Sequence, residues 1–152
     1  MTPERLFALS TNVAMLSWLL LIAAPRWKWA SGLITSVVVP ALMGGLYVWL
    51  VIPRIPELIN GFGSVSGISR VFQDGHVVVA GWLHYLAFDL FIGSWQVRDA
   101  RRLGIGHLWI LPSLVLTLFF GPAGLLLYLV TRAGLRRRLG IGWEAPDARA
   151  AR

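Results

Sequence analysis

HVVVAGWLHYLAFDLFIGSWQV, residues 76–97, holds a histidine at position 84 and an aspartate at position 89 inside an otherwise apolar run. At 1.5 Å per residue a helix over this stretch is about 33 Å long, enough to cross a hydrocarbon core of about 30 Å. An aspartate near the middle of such a helix costs about 2.5–3.5 kcal/mol on insertion scales. Asp89 is therefore either compensated by neighbours or kept for its chemistry.

Three further runs are long and apolar enough to be read in the same way, at residues 6–24, 31–52 and 107–131. They predict an all-α membrane protein with four transmembrane helices. The longer connection between the second and third, with Pro53, Pro56, Gly61, Gly63 and Gly67, is expected to lie along the interface with a short helix near 68–72. The first run ends in Ala-Ala-Pro, and the proline makes a poor signal cleavage site, so it is read as a retained span. Residues 1–135 form one transmembrane domain, and 136–152 a basic, disordered tail.

Composition agrees with this class. The chain has 152 residues, of which 57% are hydrophobic and 14% charged, and its mean hydropathy is +0.68, values outside the range of soluble domains. The net charge of +7 comes from short basic clusters between the apolar runs, which suits membrane lipids with anionic headgroups and not nucleic acid. With no cysteine, disulfides, thiolate metal sites and cysteine nucleophiles are excluded. Three scattered histidines have no metal-ligand spacing. No cofactor is expected: the glycines at 61, 63 and 67 miss the phosphate-binding fingerprint, and His84 and His107 differ in depth by roughly 18 Å, too far to share a haem.

Trp27, Trp29, Trp49, Trp95 and Trp109 fall near span ends, where indoles favour the headgroup level, whereas Trp18 and Trp82 are interior. Four complete crossings put both chain ends on one face, with Arg5, Arg54, Arg70, Arg132, Arg136, Arg137 and Arg138 there, against Arg26, Lys28, Arg98, Arg101 and Arg102 opposite. Under the positive-inside rule this predicts cytoplasmic termini.

Depth counting places Asp89 roughly 20 Å, and His84 roughly 12 Å, from the face holding the termini. Asn12 and Tyr47 come out near His84; Ser36, Ser113 and Thr117 come out near Asp89. A proline within a helix frees the carbonyl four residues earlier, so Pro40 releases that of Ser36 and Pro122 that of Leu118, close to the depth of Asp89. Five residues separate His84 from Asp89, about 140° around a helix. Asp89 shares its face with Trp82, Tyr85, Gly93 and Gln96, and His84 shares its own with Phe88. His84 and Asp89 are the candidate catalytic pair, with Asn12, Tyr47, Trp82, Tyr85, Phe88 and Thr117 as candidate substrate-binding residues. Both polar residues also fit a structural role, satisfied by hydroxyls or carbonyls of neighbouring helices. Gly44, Gly45, Gly121 and Gly124 read as close-packing positions.

Ser66-Gly67-Ile68 with Val71-Phe72, Trp82-Leu83-His84 with Asp89-Leu90-Phe91, the stretch from Arg102 to His107, and Phe120-Gly121-Pro122-Ala123-Gly124 together resemble the abscisic-acid-deficient-type neoxanthin synthase family. The likeness covers most of residues 60–130, and residues 1–55 match in hydrophobic pattern only. It implies a role in carotenoid metabolism; in plants, the family converts an epoxy-xanthophyll into allenic neoxanthin. The expected ligand is a lipophilic polyene or related isoprenoid, rearranged by acid–base isomerisation with Asp89 as acid and His84 as base. A non-catalytic module that binds a carotenoid or assembles with another membrane protein, or with a second copy of the chain, is the alternative; proton or ion conduction is a third. The Ala, Arg and Gly content looks bacterial and predicts a bacterial inner membrane.

Overall fold

A computed structural model describes residues 1–24 and 27–137. Their regular structure is all helical, and four helices are long and apolar enough to cross a membrane. They run α1 (Pro3–Ala23), a π-helical segment (Ala30–Val38) continuing into α2 (Val39–Val51), the short α3 (Ile55–Gly61) and α4 (Val65–Val71), then α5 (Gly75–Arg102) and α6 (His107–Arg136). The connection between the second and third apolar runs holds two short helices, one more than expected. Of the tail at 136–152, Arg136 closes α6, Arg137 caps it, and the remainder lies outside the described residues.

The polar residues of residues 76–97 fall on α5, the central element. Half of its apolar window is buried, against a third or less for each other long helix. Gly93 matters here, because a Cβ at that position would lie 2.5 Å from the Trp18 ring. The glycine thus admits a tryptophan that is otherwise 1% exposed, which accounts for an indole in a span interior. Trp95, expected at a headgroup level, instead turns inward and meets Tyr128 edge-on at 5.2 Å. On the shoulder facing the π-helical segment, Thr35 and Ser94 hydroxyls lie 2.6 Å apart. Thr35 also donates to the Ala30 carbonyl at 2.7 Å, and Arg98 donates to that of Ser31.

The last helix does not run straight. Phe120 has φ −142° and ψ 49°, outside the helical range, and Pro122 has no N–H to continue the ladder. A straight helix would put Arg132 about 38 Å from His107. Instead Arg132 Nε lies 2.9 Å from Asp99 Oδ2, on the helix that ends before α6 begins. Asp89 lies against Gly121, Trp95 against Tyr128, Asp99 against Arg132, and the Gly104 carbonyl accepts from Arg136. Each pair is 32 or 33 residues apart, so residues 121–136 run parallel to α5, back along residues 107–119. A Cβ on Gly124 would fall 2.1 Å from the Thr117 nitrogen, which is how closely the two legs meet.

The outward leg, at about 20 Å, reaches only the level of Asp89 before turning. The expectation that both ends share one face assumed a complete fourth crossing, and the reversal removes it. Residue 137 lies with the end of α5, opposite the start of α1. Among the described residues, the first face then carries Arg5, Arg54 and Arg70, and the second Lys28, Arg98, Arg101, Arg102, Arg132, Arg136 and Arg137. The basic residues thus gather on the second face, the reverse of the distribution expected from the sequence.

Two polar clasps hold the frame. Arg54 Nε donates to Asp74 Oδ2 at 2.6 Å and ties the end of α2 to the start of α5. That hydrogen bond holds the Asp74 carboxyl below the usual carboxylate range. At the far end, Asp99 accepts from the Tyr128 hydroxyl at 2.7 Å and from Arg102 at 2.9 Å, and pairs with Arg132, itself 1% exposed.

Removing one partner of a buried ion pair leaves the other charge uncompensated, at a cost of about 3–5 kcal/mol. Asp99→Ala is therefore expected to destabilise the fold by about that amount in reversible unfolding. The path of α6 is tested by single cysteines in this cysteine-free chain. In sealed vesicles, Lys28→Cys and Arg137→Cys should react with an impermeant thiol reagent from one side and Ser66→Cys from the other. Labelling of Arg137→Cys together with Ser66→Cys would show that α6 crosses completely.

Candidate functional site

Trp82, Tyr85 and Asp89 follow one another at three and four residues along α5, and this spacing sets them on one face. That face meets α1 and the elbow of α6. Trp82 stacks on Phe7 of α1 at 5.1 Å and on Tyr85 at 5.4 Å, and its indole N–H donates to Thr11 Oγ1 at 2.8 Å. The Tyr85 hydroxyl donates to the Leu118 carbonyl at 3.3 Å and also bears on the Asp89 carboxyl.

The Leu118 carbonyl is the one that Pro122 frees, and in water-free surroundings it must find a donor. Sequence counting offers it to Asp89, but the tyrosine one turn earlier takes it. Asp89 is 6% exposed and sits where a side chain on Gly121 would be: a Cβ there would lie 2.3 Å from Oδ1. Its Oδ2 has no hydrogen-bond partner among the described residues. A buried carboxyl oxygen without a donor is costly in apolar surroundings.

Two turns further along, Gln96 Nε2 donates to Thr117 Oγ1 at 2.9 Å, and Thr117 donates to the Ser113 carbonyl at 2.7 Å. Gln96 Oε1 is buried without a partner among the described residues. Two open acceptors thus lie on the α5 face that α6 covers. Thr117 lies on this face through its bond to Gln96.

His84 lies elsewhere. Its ring is 4.5 Å from Phe88 and 6.0 Å from Tyr47 of α2, and both His84 and Phe88 are exposed. The 140° separation from Asp89 is realised, and the structure does not bring the two into one pocket. Tyr47 and Phe88 join His84; Trp82, Tyr85 and Thr117 join the Asp89 side. Asn12 is exposed and joins neither, because its neighbour Thr11 is the residue that faces Trp82. Depth counting places Thr11 and Asn12 alike, but one residue turns a side chain by 100°. The count from Pro40 to Ser36 fails for another reason. Across Ala30–Val38 the helix is π, with the Val39 N–H bonded to the Ile34 carbonyl five residues back.

The chain matches the ABA DEFICIENT 4-like family over residues 5–128. It is 27% identical over 140 residues to the protein ABA DEFICIENT 4, chloroplastic, of Arabidopsis thaliana, a match covering 86% of this chain and 61% of that protein. The chain thus spans about three fifths of the length of this relative. No solved structure matches it. The relative is a plant protein whose name places it in the chloroplast, so the expected bacterial source and inner membrane find no support there.

The glycines separate by function. Nothing lies within 4 Å of a Cβ on Gly44 or Gly45, so these are not close-packing positions within the chain, whereas Gly121 and Gly124 are. Gly121→Ala should therefore destabilise the fold by about 1–3 kcal/mol through overpacking, and Gly44→Ala should leave the midpoint of thermal unfolding in detergent unchanged or raised. The match covers the elbow, the Asp89 face and all of α5, and on that extent the chain belongs to the ABA DEFICIENT 4-like family.

Proposed function

We propose that the chain binds a carotenoid or related isoprenoid within the membrane, with one end of the molecule against Asp89, and that the Asp89–Tyr85 pair promotes an acid–base rearrangement of that end. The observation that carries this reading is the buried, mid-span carboxyl whose Oδ2 lacks a partner, beside a tyrosine hydroxyl and at the elbow of a broken helix. Family membership supports the substrate class, because the family resemblance implies conversion of an epoxy-xanthophyll to an allenic alcohol. Such an isomerisation moves a proton from carbon to oxygen with no net oxidation. Asp89 protonates the ring oxygen, and the proton leaving the carbon returns to the same carboxylate, directly or relayed by the Tyr85 hydroxyl.

His84 as the base belongs to the same proposal only for a ligand that reaches both shoulders of α5; a single ring end at Asp89 does not reach it. A binding role without chemistry is favoured by a separate observation. A cavity of about 290 Å³ between α1 and α2, lined almost wholly by apolar side chains including Leu6, Leu9, Val13, Leu42 and Leu83, suits a hydrocarbon arm.

Expression in carotenoid-producing cells, with pigments compared against an empty vector, separates the two. Conversion should give a new pigment that disappears in Asp89→Asn and falls at least tenfold in Tyr85→Phe, in line with the loss of a general acid. A new pigment that survives Asp89→Asn would overturn the acid assignment. Unchanged pigments that copurify with the chain would establish the binding role instead.

A further inference from the structure

The short helices α3 and α4 cross at two glycines. A Cβ on Gly67 would fall 2.2 Å from the Gly61 carbonyl oxygen, so only glycine allows this approach. Beside the crossing lies a cavity of about 420 Å³, lined by Glu57, Asn60, Arg70 and Asp74 together with the two glycines. Asp74 is already engaged, by Arg54 at 2.6 Å and by the His76 N–H at 2.8 Å. Glu57 and Arg70 have no ion-pair or side-chain hydrogen-bond partner among the described residues, and they do not pair with each other. One carboxylate and one guanidinium thus face the same cavity, both uncommitted.

Its position says what reaches it. The cavity lies among α3, α4 and the start of α5, in the connection that joins the second and third long apolar helices. Ile59 and Ile68 of the same two helices, and Phe62 and Phe72 that cap them, are exposed and suit contact with acyl chains. We propose that this cavity binds the zwitterionic headgroup of an ethanolamine phospholipid, with the phosphate on Arg70 and the ammonium on Glu57 and the Asn60 carbonyl. Guanidinium is matched to phosphate oxygens, and a primary ammonium has three N–H donors for the carboxylate and amide oxygens. A choline headgroup has no such donor and favours aromatic faces, and no aromatic ring lines the cavity. A glycerol headgroup would seat its phosphate on Arg70 but bring no ammonium to offset Glu57.

The proposal depends on the membrane reading of the fold and not on the chemistry at Asp89. It is tested with the full chain in nanodiscs containing equal amounts of phosphatidylethanolamine, phosphatidylcholine and phosphatidylglycerol with identical acyl chains, with retained lipids counted by native mass spectrometry. The ethanolamine lipid should be retained about tenfold over each of the others, the ratio expected from one additional charge-assisted contact. Glu57→Gln should bring the ethanolamine-to-glycerol ratio to about one, and Arg70→Gln should reduce retention of all three lipids. Both side chains are exposed, so unchanged thermal unfolding of each variant confirms that the fold is intact. Equal retention of the three lipids by the unmodified chain, or an ethanolamine preference that survives both substitutions, would overturn the assignment. Displacement of the lipid by an equal concentration of soluble phosphoethanolamine would overturn its lipid source.

Discussion

A helix that reverses within an apolar layer exposes carbonyls that water cannot reach, and each must be given a donor by the protein. At the elbow of α6 the exposed group is the Leu118 carbonyl, freed by Pro122, and Tyr85 of α5 is its donor. The rest of the architecture follows from that contact. Gly121 lets the elbow approach α5 without a side chain between them, and Gly124 lets the returning leg lie directly on Thr117. At the far end of the return, Asp99 takes Tyr128 and Arg132 together, so the reversed leg is held at both ends by groups on one helix.

The same constraint produces the site. A tyrosine placed to satisfy the elbow also bears on Asp89 one turn later, so the carboxyl lies where the returning chain has just left the helical path. The polar investment of α5 is divided between its shoulders. Trp82, Tyr85, Asp89 and Gln96 serve α1 and α6, while Ser94 and Arg98 serve the π-helical segment through Thr35 and Ser31. His84 stands outside both sets, against Tyr47 and Phe88.

Much of this was legible in the residues. Hydropathy marks the four long helices, and the 3.6-residue period puts Asp89 with Trp82 and Tyr85 and separates it from His84. The reversal was not legible, because proline tells which carbonyl is freed and not which way the chain then goes. Pro112 lies inside the same helix and leaves its path regular. What distinguishes Pro122 is the pair of glycines around it, and their meaning depends on α5 being close enough to need the space. The choice of Thr11 over Asn12 lies within the error of any boundary drawn from hydropathy. The π-helical segment has no residue signature from which five-residue bonding could be read.

Because α6 turns at the level of Asp89, it covers α5 on only one side of that level. On the side of that level nearer to α3 and α4, Trp82 packs on α1 through Phe7 and Thr11, Tyr85 reaches only the elbow of α6 at the Leu118 carbonyl, and Phe119 and Phe120 at the elbow are exposed. The two leaflets of a bilayer are therefore not equivalent to this protein. A lipophilic molecule approaching from the side of α3 and α4 would meet the exposed phenylalanines of the elbow, while the Asp89 carboxyl itself is buried. From the opposite side the same molecule would meet the paired legs of α6.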